Sequence, residues 1–130
     1  MSLSLPADVE VFLTDGYDQL HDPAVYALVL ERPGDVAEAW DQEFDARPPW
    51  FDEFQDARAV WYVGATNDCL SRLEDHRDGE VRVGVLQRVC EIESLRNVWW
   101  MPSTDKAFER ESGIAVAMQN EYPEVYVHCR

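Results

Sequence analysis

The order of apolar runs predicts an α/β chain of the α+β kind, a small central antiparallel sheet of about three strands flanked by helices. Three observations predict it. Ala24–Glu31 (AVYALVLE) and Ala59–Gly64 (AVWYVG) are short runs rich in β-formers, each bounded by turn residues. Helix-type spacing follows each of them. A chain of 130 residues with 46% hydrophobic residues suits one domain, 1–130, with a full core.

Each element has a local reason. Residues 1–23 read as a leader segment that closes on Asp22-Pro23. After strand one, Arg32-Pro33-Gly34 breaks the extended chain, and Asp35 is placed to cap a helix through Phe44 that carries Val36, Ala39 and Trp40 on one side. Pro48-Pro49 ends that helix and leaves Trp50, Phe51 and Phe54 in an aromatic loop that needs burial or a partner. Strand two should turn at Gly64 into a helix from Asp68 to His76, with Cys69, Leu70 and Leu73 on one face and Thr66, Asn67 and Asp68 as capping types. Val81 to Glu93 alternates imperfectly and predicts a third strand, bulged at Gly84. Ser103-Thr104-Asp105 caps a last helix from Lys106 to about Asn120, Tyr122-Pro123 ends it, and VYVH suits a further edge strand.

The composition excludes several classes of function. No apolar run has the length of a membrane span and the first residues lack a basic-then-apolar export pattern, which leads to an expectation of a cytoplasmic protein without membrane contact. Three scattered cysteines contain no CxxC pair for zinc or redox work, and His128-Cys129 has no spaced partners. The charge is −15, from 11 Lys plus Arg against 26 Asp plus Glu, with Lys106 the single lysine. In dilute salt most of such a surface repels nucleic acid. The composition resembles that of halophilic proteins, from a halophilic archaeon or its virus. In molar salt the Debye length falls to about 3 Å, so acidity alone does not bar DNA there.

The residues that carry chemistry lie near the two strands. Tyr26 sits in Ala24-Val25-Tyr26 and Tyr62 in Tyr62-Val63-Gly64; Arg72 follows Tyr62 by ten positions and His76 follows Arg72 by four. On a helix, Arg72 and His76 are neighbours on one face, a planar guanidinium and a titratable imidazole able to converge on one phosphate. Farther on, Glu111 falls inside the apolar arc formed by Ala107, Phe108, Ile114, Ala115 and Met118, while Glu109 points the opposite way. A carboxylate on an apolar face is costly unless paired or bound to metal.

This run resembles the GIY-YIG nuclease superfamily. Ala24-Val25-Tyr26 is similar to the first half of its signature and Tyr62-Val63-Gly64 to the second. Arg72 and His76 match the arginine and histidine of the following helix, and the Ala107 to Ile114 stretch matches the pattern around the metal-binding glutamate, at Glu111. The resemblance implies a metal-dependent endonuclease acting on DNA more readily than RNA. Glu111 would hold Mg²⁺ or Mn²⁺, Tyr26 or Tyr62 with His76 would orient or deprotonate water, and Arg72 would stabilise charge on the phosphate. The sequence departs from the family by separating the tyrosines by 36 positions, with residues 32–58 inserted, and by carrying Ala24 in place of glycine. A rival expectation is a catalytically silent module of the same fold, including an acidic DNA mimic, whose Trp50/Phe51/Phe54 loop meets a protein partner or a second copy.

Overall fold

Strand β1 (Ala24–Glu31) is buried on both faces for most of its length, which explains why its sequence is an almost unbroken apolar run rather than an alternating one. In the computed structural model, which describes residues 21–77 and 85–129 (backbone alone at 76 and 77), β1 lies inside a four-stranded sheet. Strand β2 (Ala59–Thr66) pairs antiparallel on one side, with Tyr26 opposite Gly64 and Leu28 opposite Tyr62. Strand β3 (Glu91–Trp100) pairs antiparallel on the other side. Strand β4 (Val125–Cys129) runs parallel to β2 and completes the order β3-β1-β2-β4. The sheet is therefore mixed and has four strands, because the terminal VYVHC segment joins it as a full member.

Helix α1 (Val36–Glu43) starts where expected, with the Asp35 carboxylate accepting from the Glu38 N–H at 3.0 Å. The aromatic stretch after Pro48-Pro49 is not a loop. It forms helix α2 (Phe51–Asp56), whose Phe51 and Phe54 are buried. Arg32 reaches back to the end of α2 and donates to the carbonyls of Phe54, Gln55 and Ala57 at 2.7, 2.6 and 2.6 Å, supplying acceptors there with a cationic partner. Helix α3 (Cys69–Arg77) follows β2, and Asp68 caps it by accepting from the Ser71 N–H at 3.1 Å.

The third strand lies later than the valine pattern predicts. Residues 78–84, with Gly84, are outside the described residues; Leu86–Arg88 is a 3₁₀ turn and β3 begins at Glu91. The aromatic and branched end of EIESLRNVWW suits a sheet strand, and it pairs with β1 over Glu91–Trp100. Helix α4 (Thr104–Glu121) is capped by Ser103, whose hydroxyl accepts from the Lys106 N–H. Gln119 on α4 then guards the outer edge of β4, accepting from the Val127 N–H at 2.9 Å and donating to the Val125 carbonyl at 2.5 Å. No helix among the described residues is long and apolar enough to cross a membrane.

Two cores result, one on each face of the sheet. On one, Ala24, Tyr26, Leu28 and Leu30 of β1 and Val60 and Tyr62 of β2 meet α1, α2 and α3 through Trp40, Phe51, Phe54, Cys69 and Leu73. On the other, Val25, Ala27, Trp61, Val63 and Ala65 meet Ala107, Ala115 and Met118 of α4. The period of two along β1 and β2 assigns every side chain to one layer or the other.

Candidate functional site

Tyr26 and Tyr62 share a face and touch, with ring centroids 6.4 Å apart and planes inclined by 51°. Gly64 makes this possible. A Cβ built there would lie 2.6 Å from the Tyr26 hydroxyl oxygen, 2.7 Å from Cζ and 3.0 Å from Cε2 of Tyr62. The glycine thus serves as the seat of the Tyr26 ring in mid-strand, not as the turn residue at a strand end, and β2 continues to Thr66. Both tyrosines are sealed into the core, at 1% and 0% exposure.

Arg72 lies on α3, the helix that follows the second tyrosine and packs Cys69 and Leu73 against the tyrosine face. It is half-buried, its backbone N–H donates to the Asp68 carbonyl at 3.1 Å, and its guanidinium makes no hydrogen bond or ion pair among the described residues. His76 belongs to the same helix, but its side chain lies outside the described residues. These three elements, β1, β2 and α3, therefore assemble in one layer.

Glu111 does not join them. It is buried at 5% exposure on α4, in the layer across the sheet, and its Oε1 accepts from the Cys129 thiol at 3.2 Å. The apolar arc expected around it is kept by Ala107, Ala115 and Met118, whereas Phe108 is 42% exposed. The sheet stands between this carboxylate and the tyrosine rings, so Glu111 does not converge with Tyr26, Tyr62 and the helix that carries Arg72.

The residues around Glu111 do not fit a Mg²⁺ or Mn²⁺ ion. A single-carboxylate site must leave room for several metal-bound waters. Glu111 instead sits in a tight helix–sheet contact beside a thiol, a soft neighbour for a hard cation. Among the described residues, no group of three or more His, Cys, Asp or Glu side chains could hold a metal ion.

The aromatic stretch also differs from its expected role. Phe51 and Phe54 pack on Trp40 at centroid distances of 5.3 and 5.9 Å, so core packing consumes the rings expected to form a docking loop. Trp50 remains half-buried and stacks on Tyr126 at 5.6 Å and 20°. This leads to a cluster that the sequence reading passed over. His128 lies 5.0 Å from the Trp50 ring and 6.4 Å from Tyr62, and its Nδ1 is hydrogen-bonded to the Tyr126 hydroxyl at 3.1 Å. Burial holds the imidazole below its ordinary value of 6.5, and burial followed by the Glu53 charge pushes Tyr126 up to about 12. Its signal was the alternation of VYVHC, which sends Tyr126 and His128 to one face. Beside it, an open cleft of about 720 Å³ is lined by Glu53, Asp56, Arg58, Gln119, Glu124 and Tyr126, among others.

Cys69 and Cys90 are buried thiols, each raised by that burial to about 12, and hence poor nucleophiles.

No protein-family model matches the chain, and neither a curated protein nor a solved structure matches it. The likeness to GIY-YIG nucleases rests on the residues named above.

Proposed function

We propose that this chain is a catalytically silent, GIY-YIG-like binding module, in which the signature tyrosines and glycine serve as core architecture. The observation that carries this reading is the position of Glu111, across the sheet from Tyr26, Tyr62 and α3 and closed in beside Cys129. Hydrolysis of the implied kind needs the acid that holds the metal to stand within reach of the groups that orient water and clamp phosphate. A net charge of −15 suits a basic protein surface of the sort that otherwise meets nucleic acid. The acidic rim of the cleft beside Tyr126, with Glu53, Asp56 and Glu124, presents part of that charge.

The test is a nicking assay on supercoiled DNA with Mg²⁺ or Mn²⁺ in molar KCl, joined to calorimetric titration with Mn²⁺. The silent reading expects intact DNA and no binding heat. Metal-dependent cutting that Arg72→Ala and Glu111→Ala both abolish would overturn it.

A second reading, a metal-dependent endonuclease, is favoured by one observation: the Tyr26–Tyr62 contact over Gly64, with Arg72 on the next helix, keeps the order and neighbourhood of the signature. In that reading Arg72 clamps the phosphate and a tyrosine, with His76, handles water. The cutting assay separates the two.

A further inference from the structure

We infer that Arg96 is the anchor of an oxyanion-binding site on the α4 side of the sheet, one that takes a phosphate or carboxylate group edge-on. The inference is independent of whether the tyrosine layer is silent or catalytic.

Strand β3 has two register shifts against β1, one at Glu93 and one at Arg96. Asn97 pairs with Ala27 and Leu95 pairs with Leu28, so β3 carries one extra residue there, and that residue is Arg96. Such bulges re-aim a side chain that regular pairing would send elsewhere. Here the side chain is turned onto an aromatic platform. Its Cζ lies 4.1 Å from the Trp61 ring centroid and 5.1 Å from that of Tyr122, and those two rings pack edge to face at 4.9 Å.

The contrast with other arginines shows what is left unused. Arg32 donates to three carbonyls, Arg47 pairs with Asp41, and Arg88 pairs with Glu43. The Arg96 guanidinium makes no hydrogen bond or ion pair among the described residues, and its Nε is buried without an acceptor. The residue is nonetheless half-buried, which leaves the terminal nitrogens as its accessible edge. A guanidinium whose Cζ is held over the Trp61 ring and whose outer nitrogens carry no partner offers a planar fork to two oxygens of one ligand group. The ring contacts hold the guanidinium in place before the ligand arrives, so less side-chain entropy is lost on binding.

In a chain of charge −15, Arg96 shares with Arg72 the lack of an ion pair among the described residues, and it differs in being stacked on Trp61 and Tyr122. A purely structural role, with the guanidinium acting as a cover for Trp61, accounts for the stacking but gives no use for the open nitrogens.

The test is titration of the full chain with inorganic phosphate at constant ionic strength held by KCl, with sodium acetate as a second arm. The readouts are the arginine Nε–Hε resonance of residue 96 and tryptophan fluorescence. A saturable shift is expected in one or both arms, the stronger arm naming the group preferred. R96Q is expected to lose it. R96K keeps the charge without the fork, and a loss of affinity of about tenfold is expected in a variant that stays folded by circular dichroism. No saturable shift in either arm overturns the proposal, as does an unchanged shift in R96K.

Discussion

The two faces of the sheet are built by different means. The tyrosine face is filled by large rings, with Trp40, Tyr26, Tyr62, Phe51 and Phe54 all at 2% exposure or less. The α4 face sets four alanines, Ala27, Ala65, Ala107 and Ala115, among Val25, Val63, Met118 and the one deeply buried ring of Trp61. The polar groups divide in the same way. On the tyrosine face, Tyr126 and His128 satisfy each other inside a ring cluster, while the α4 face holds an acid, Glu111, and a stacked cation, Arg96. Residues that follow one another in a signature need not share a layer, because strand parity and helix placement decide it.

Substitutions should separate the faces by the size of their effect. Phe54→Ala empties the centre of the ring cluster and is expected to cost about 4 kcal/mol in chemical denaturation. Ala115→Gly on the opposite face should cost only about 1 kcal/mol, the helix-interior penalty of glycine. If the two costs prove equal, the faces are not built differently.

Gly64→Ala tests the seat of Tyr26. With neighbours at 2.6 and 2.7 Å from the new Cβ, a loss of about 3 kcal/mol is expected. Tyr26→Phe removes the nearer of those atoms, so the double variant should recover part of the loss. Strict additivity would place the clash elsewhere.

Arg32→Ala should cost about 2 kcal/mol, since it removes a charged donor from three carbonyls at the end of α2. A change within error would mean that water replaces the guanidinium there.

The smallest effect concerns pH. Burial lowers the affinity of His128 for a proton in the folded chain, so the unfolded chain binds it more readily below 6.5. The stability tied to this group is complete above that pH and declines as the pH falls from 6.5 towards the lower folded value. Denaturant midpoints at pH 7.5 and 5.5 should therefore fall further in the natural protein than in His128→Gln, which has no imidazole to charge. Parallel midpoints would remove His128 from the account.

The sequence made β1, β2, α1, α3 and α4 legible because caps and apolar spacing agree locally at Asp35, Asp68 and Ser103. It expected a strand that ends at Glu93, whereas Leu86–Arg88 is a 3₁₀ turn and β3 runs over Glu91–Trp100; and it read α2 as a loop because Pro48-Pro49 and three aromatics resemble an exposed patch until Trp40 is seen beneath them. Within the candidate site, the tyrosine pair and the helix of Arg72 were readable from order and parity. The place of Glu111 was not, because a helical wheel gives the buried side of a helix but not the face of the sheet against which that side lies. The ring cluster at His128 required the parallel pairing of β4, a contact distant in sequence.

Nuclear magnetic resonance of the tyrosine rings during addition of Mn²⁺ bears most directly on whether Glu111 shares a site with Tyr26 and Tyr62. The separation across the sheet predicts no selective broadening of either ring, and the same spectra for the natural protein and Glu111→Gln. Saturable broadening of both rings that disappears in Glu111→Gln would contradict it.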